Sequence, residues 1–194
     1  MQGAGAAGPP VRARSKMPRF GAIMTLPRMA RPASAEFRRA LSRFATGVTV
    51  VTVAEKHDGT KGMTANAFTS VSLDPALVLV CVDLRSRTHG LMKSARRFGV
   101  SVLDETQRAF AEYFAQAKAD PARMQELGIR FRHGANGVPY IEGCLAHLVC
   151  RRVAARRAGD HTIFIGEVEH LSCREGRPLL FYGGRYHSLP KDAG

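Results

Sequence analysis

Two stretches of this chain leave little conformational choice. Val48-Thr49-Val50-Val51-Thr52-Val53 is wholly β-branched, and Ala76-Leu77-Val78-Leu79-Val80-Cys81-Val82 is an unbroken apolar run. β-Branched side chains lose rotamer freedom in a helix and pack well on a pleated surface, so the first stretch predicts a strand. The second predicts a fully buried central strand, and it is far short of the roughly 20 residues that a membrane-spanning helix needs.

Around these strands the pattern alternates between turns and short elements. Ser34 is placed to cap a helix whose apolar positions Phe37, Ala40, Leu41 and Phe44 follow helical spacing, with Thr46-Gly47 ending it. Asp58-Gly59 signals a hairpin, and Asp74-Pro75 a second turn after the polar, small-residue return from Lys61 to Ser72. Thr88 is expected to cap a short helix to about Ala95, followed by a strand from Phe98 to Leu103. A helix from Glu105 to Ala117 places Ala109, Phe110, Tyr113, Phe114 and Ala117 on one face, and Pro121 to Leu127 predicts another. Cys144–Ala154 and Thr162–Leu171 predict long strands, Pro178–Tyr182 a short one, and Tyr182–His187 a turn. Six or seven strands without strand–helix alternation exclude a doubly wound parallel sheet and favour a mainly β antiparallel barrel with peripheral helices.

The formal charge of +13 raises the question of nucleic acid, and its distribution answers it. Residues 1–35 hold six basic side chains and no acid, which leaves a body only moderately basic, with 23 basic against 16 acidic groups. With no tryptophan and no aromatic residues interleaved with arginine, the body suits phosphate-bearing small molecules better than a nucleic acid. Residues 1–33 carry five prolines among Gly, Ala and Arg, and are expected to be a disordered basic tail, or an artefact of start-site choice if translation begins at an internal Met such as Met29. The domain is expected to span residues 34–194. Gly3-Ala4-Gly5-Ala6-Ala7-Gly8 matches a dinucleotide fingerprint in letters only, because no strand precedes it and prolines follow. Four cysteines in no metal-knuckle spacing point to a reducing cytoplasm.

Three segments carry candidate chemistry. The first runs from Lys61 to Ser72, through Gly62, Met63, Thr64, Ala65, Asn66, Ala67, Thr69 and Ser70. It makes a poor strand but an accessible wall, with main-chain amides and neutral hydroxyls suited to a flat heteroaromatic ligand; the plain alternative is a solvated edge strand. The second is Asp83-Leu84-Arg85-Ser86-Arg87-Thr88-His89, where two guanidinium groups, two hydroxyls and a helix start converge on an anion site, against the alternative of a solvated loop. The third is Gly159-Asp160-His161-Thr162, which stands a histidine at a strand mouth beside a carboxylate; its alternative is an ordinary turn. Cys144, His147 and Cys150 are spaced by three, which turns His147 away from the cysteines on a strand, so no metal site is expected. No P-loop, nucleophile elbow or zinc-protease motif is present.

Five blocks in order then resemble a known family. Phe37-Arg38 with Phe44-Ala45-Thr46-Gly47-Val48-Thr49-Val50-Val51-Thr52, the run Gly62–Pro75, Leu77–Val82, Gly159-Asp160-His161-Thr162 with Gly166-Glu167-Val168, and Pro178–Tyr182 are similar to the flavin reductase-like, split-barrel family. These are the small reductase components of two-component flavin-dependent monooxygenases, and the likeness spans about Ala35 to Leu189.

The resemblance implies a homodimeric, six-stranded antiparallel split barrel that binds FMN or FAD, takes hydride from NADH or NADPH, and supplies a partner monooxygenase with reduced flavin. It implies Met63–Ala67 along the isoalloxazine, Thr69 and Ser70 near the ribityl chain, and Ser86–Thr88 near the phosphate, with Gly62, Cys81, Val82, Asp83 and Arg85 also at the cofactor. Gly159, Asp160 and His161 are implied near the nicotinamide, His161 as the catalytic candidate. Gly184 departs from the family pattern, where a bulkier polar residue is common. Two other functions fit the same barrel: an FMN carrier without turnover, and a flavin-dependent oxidase acting directly on an organic substrate. Neither nucleic acid nor membrane is expected as a partner.

Overall fold

A computed structural model describes residues 32–54, 60–116 and 120–190. The expectations for the tail before Pro32, for the Asp58-Gly59 turn and for Ala117 lie outside the described residues. The body begins at Ser34 with helix α1 (Ser34–Leu41), followed by β1 (Thr46–Gly47), β2 (Thr49–Ala54), β3 (Thr60–Ala65), β4 (Phe68–Leu73) and β5 (Ala76–Asp83). Then come α2 (Arg87–Ser94), β6 (Arg97–Val102), α3 (Arg108–Phe114), α4 (Pro121–Glu126), β7 (Phe131–His133) and β8 (Pro139–Ile141). The long pair β9 (Ala146–Ala158) and β10 (His161–Cys173) precedes β11 (Leu179–Tyr182) and β12 (Arg185–Ser188).

Seven strands form one antiparallel sheet in the order β3-β2-β6-β9-β10-β5-β4. Its two edge strands are consecutive in sequence and joined by Asn66-Ala67 alone. Ala65 pairs with Thr49 of β2, Phe68 pairs with Val80 of β5, and the Cys81 amide donates to the Ala67 carbonyl at 3.0 Å. The chain therefore crosses from one edge of the sheet to the other within three residues and closes it on itself. Counted as one bent strand, β3–β4 makes this a six-stranded barrel, and the small side chains at the bend are what let it turn so sharply.

The barrel interior holds Val51, Val53, Val80, Val82, Phe98, Val100 and Phe164, plugged at one end by Met92 of α2. A second core lies outside the barrel, where Val48 and Val50 meet Leu103, Ala111, Phe114, Ile141 and Leu179. Strand β2 is thus covered on both faces, which explains why its sequence shows no polar alternation.

Several expectations need correction. Strand β5 is neither central nor fully buried: Val78, Val80 and Val82 point inward, while Leu77, Leu79 and Cys81 are half-buried on the outside. An unbroken apolar run records two apolar faces, and among the described residues only one of these is fully covered. Helix α1 starts at Ser34 itself and stops at Leu41, so Thr46-Gly47 is not its end but β1, paired with β11. Helix α2 is capped by Ser86, whose hydroxyl accepts from the Thr88 amide at 3.2 Å, and not by Thr88. The Glu105–Ala117 segment begins as a 3-10 turn capped by Asp104, becoming α-helical at Arg108. Gly183-Gly184 connects β11 to β12, a strand where only a turn was expected. Among the described residues no helix is long and apolar enough to cross a membrane.

Gly166 marks a tight point of the barrel. A Cβ there would lie 2.5 Å from Phe98 Cζ and 2.8 Å from Cys150 Cβ, both deep in the core. Gly166→Ala is expected to destabilise the fold by about 1–3 kcal/mol through overpacking, read as a lower midpoint in urea with an unchanged slope.

Candidate functional site

At the barrel end plugged by α2, a cleft of about 400 Å³ opens between β3, the β5–α2 corner and the far end of α3. One wall is Gly62, Met63 and Thr64; the facing wall is Asp83, Arg85, Ser86, Arg87 and Thr88. The first two candidate segments are therefore brought together. The Ser86 hydroxyl donates to Met63 Sδ at 3.7 Å and spans the gap between them. Tyr113, Phe114 and Met124 also line the cleft; the helical spacing of Tyr113 and Phe114 marked them only as part of an apolar helix face, and no sequence signal pointed to Met124.

The small residues of β3 have structural reasons as well. A Cβ on Gly62 would touch the Phe114 ring at 3.0 Å, so the absence of a side chain lets α3 settle on the strand. The Thr64 hydroxyl donates to the Ala111 carbonyl at 2.6 Å and is committed to the same helix. Ala65 is buried in the barrel core, as is Val82, so neither side chain can reach a ligand and only their main chain remains available. Asn66, Ala67, Thr69 and Ser70 are exposed beyond the bend and do not line the cleft.

Arg85 behaves differently from the expectation of a free phosphate ligand. Its amide and Nη2 each donate to Asp83 at 2.8 Å, and its Nε at 3.2 Å, so the guanidinium forks onto the neighbouring carboxylate. The side-chain hydrogen bond from Arg85, reinforced by the amide, holds the Asp83 carboxyl far below its ordinary value. Arg87, also at the cleft, has no ion pair among the described residues. The positive charge that the corner offers an anion is thus Arg87, beside the N-terminal turn of α2.

The third candidate segment lies next to this corner. His161 pairs across the sheet with Asp83, and the Leu84 amide donates to the Asp160 carbonyl at 3.0 Å. His161 Nδ1 lies 2.8 Å from Asp160 Oδ1, and the side-chain hydrogen bond with His161 pulls the Asp160 carboxyl below its ordinary value. An ionised carboxylate only accepts, so Nδ1 carries the proton and a neutral ring leaves Nε2 as an acceptor facing away. His161 does not line the cleft. By strand alternation it shares the outer face of the sheet with Ile163, Cys81, Leu79 and Thr69. Burial pushes the Cys81 thiol up, and its side chain does not line the cleft. Among the described residues no group of three or more His, Cys, Asp or Glu could hold a metal ion.

The family model of the flavin reductase like domain matches residues 41–190. The chain belongs to that family. An NADH-dependent flavin reductase of Rhodococcus sp is 46% identical over 154 residues, covering 78% of this chain and 84% of the relative. The reductase component of a 4-nitrophenol 4-monooxygenase/4-nitrocatechol 2-monooxygenase of Rhodococcus opacus is 39% identical over 159 residues, with coverage of 80% and 82%. Among solved structures, the NADH:FAD oxidoreductase SgcE6 of Streptomyces globisporus C-1027, in complex with NAD and FAD fragments, superposes with a TM-score of 0.75 at 40% identity. That match covers 82% of this chain and 94% of the other. The split barrel expected from the five sequence blocks is the fold of these flavin reductases.

Proposed function

We propose that this protein is an NADH-dependent flavin reductase that reduces FMN or FAD and delivers the reduced flavin to a separate flavin-dependent monooxygenase. NADPH is the alternative donor. The observation that carries the reading is the meeting, at one barrel end, of the small-residue strand, the cationic corner and the Asp160–His161 turn, in a chain 46% identical to an NADH-dependent flavin reductase. The donor set suits the ligand: neutral main-chain groups for a flat heterocycle, Arg87 and the α2 amides for a phosphate, and a cleft of about 400 Å³, within the range of cofactor sites.

When bound, the two cofactors supply the hydride chemistry themselves, moving two electrons from nicotinamide to flavin. The protein needs no nucleophile or acid–base pair for this; its residues position and exclude water. The amides of β3 would meet the polar edge of a bound flavin, and Ser86, Arg87 and the first turn of α2 would hold its phosphate. His161, fixed by Asp160, presents Nε2 as an acceptor for an amide N–H, such as the carboxamide of a nicotinamide. His161→Ala is therefore expected to raise the KM for NADH and leave the flavin affinity unchanged. An unchanged KM and turnover would remove this role.

The active unit proposed is a homodimer. Phe37 and Leu41 of α1 and the nearby Phe44, at 72% exposure, are open to solvent, as is Leu73 of β4 at 94%. Side chains this apolar and this exposed, on a short helix with no buried residue, suit a surface covered by a second copy. Sedimentation equilibrium tests the dimer directly.

The function is tested by adding NADH or NADPH anaerobically to the purified protein with FMN or FAD and following the flavin absorbance. Bleaching with catalytic amounts of protein is expected. Flavin that binds and stays oxidised would overturn the reading.

A further inference from the structure

We propose that Arg156 is a binding residue for the hydride donor, holding the diphosphate that links the two halves of a nicotinamide dinucleotide. The inference rests on the function proposed above. It begins from the register of the β9–β10 hairpin. Strand β6 pairs with β9 only as far as Arg151, so from Val153 to Ala158 the strand is held by β10 on one side and exposed on the other.

Within this ribbon Ala158 faces His161, Arg157 faces Thr162 and Arg156 faces Ile163. Across β10, His161 faces Asp83 and Ile163 faces Cys81, while Phe164 and Val80 point into the barrel. Alternation then puts Arg156 on the outer face with His161, Ile163 and Cys81, diagonal to the histidine, at about the 7–8 Å spacing that long side chains bridge. Arg157 points to the opposite side.

The charges on this face single out Arg156. Asp83 is forked by Arg85, and Asp160 is bound to His161. Arg156 is exposed and forms no ion pair or hydrogen bond among the described residues. The half-buried Ile163 and Cys81 form an apolar strip between it and Asp83. A nicotinamide held at His161 would be one ribose away from its diphosphate, a span that lets the dianion lie over the strip within reach of Arg156. A guanidinium matches two phosphate oxygens at once.

The test compares Arg156→Ala, Arg156→Lys and, as a control on the other face, Arg157→Ala. Calorimetric titration of the flavin-free protein uses ADP-ribose, which carries the diphosphate without nicotinamide, with adenosine as the uncharged comparison. Arg156→Ala is expected to weaken ADP-ribose binding about tenfold and leave adenosine unchanged, with partial retention in Arg156→Lys and none of the loss in Arg157→Ala. In turnover the same variant raises the KM for NADH about tenfold at unchanged kcat and flavin KM, and its KM is less sensitive to added salt. Equal ADP-ribose affinity in wild type and Arg156→Ala, or no binding by wild type, overturns the inference. A wild type that binds ADP-ribose through Arg156 yet reduces no flavin would overturn only the proposed function.

Discussion

Arg87→Glu is expected to cut flavin affinity by about 10- to 150-fold, the equivalent of a charge-assisted hydrogen bond of about 1.5–3 kcal/mol. Of the cleft's two arginines, Arg85 is already forked onto Asp83, whose carboxyl stays ionised because Arg85 holds it so. Arg87 is left as the arginine without a carboxylate partner among the described residues, at the first turn of a helix whose cap is Ser86. Charge reversal at this point replaces attraction for phosphate with repulsion. Equilibrium dialysis of FMN against the wild type and the variant measures the effect, and the gap should narrow as salt screens it. Riboflavin, which lacks the phosphate, should bind both alike. Equal FMN affinity in the two proteins would place the phosphate elsewhere. The parallel variant Arg85→Ala should lose much less affinity, and it separates the two guanidinium groups that adjacent sequence positions had grouped as one cluster.

That grouping shows what the sequence could and could not reveal about the site. The residue types of the wall and the corner are readable because small and polar residues are out of place in a strand next to Val48–Val53. Which of them face a ligand depends on register. Ala65 and Val82 turn into the core because their strands are paired as they are, and a shift of one residue would reverse both. The fork of Arg85 onto Asp83 is a choice between a carboxylate two residues away and the open cleft, and composition does not decide it. Tyr113, Phe114 and Met124 enter the site only because α3 and α4 fold back over β3.

The fold was legible wherever local chemistry sets it. Strand β2 announces itself by β-branching, and α4 by Asp120 before Pro121. Barrel closure was not, because the bend at Asn66-Ala67 takes its meaning from pairing with Thr49 on one side and Val80 on the other, partners 16 and 12 residues away. The outward face of β5 misled in the same way. Leu77, Leu79 and Cys81 look like core because they are apolar, yet the described residues leave them only half-buried.

Phe98→Ala is expected to cost about 3–5 kcal/mol, a large share of the 5–15 kcal/mol that holds a domain of this size together. Phe98 is 1% exposed, among the largest fully buried side chains, and it fills the space that Gly166 leaves open. Its loss opens a cavity among Val80, Val100 and Phe164 that β-branched neighbours, stiff at χ1, cannot collapse to fill. Calorimetry should record a midpoint lower by about 6–20 °C. Gly166→Ala acts on the same contact from the other side. Alone, each variant destabilises, one by a void and the other by a clash at 2.5 Å with the Phe98 ring. Together, the new methyl group occupies part of the void and the ring it would strike is gone, so the double variant should be more stable than the sum of the two predicts. Rescue should remain partial, because Cys150 Cβ still lies 2.8 Å from the added atom. Simple additivity would mean that Phe98 and Gly166 are not packed against each other, and that the narrowing of the barrel at this level has another cause.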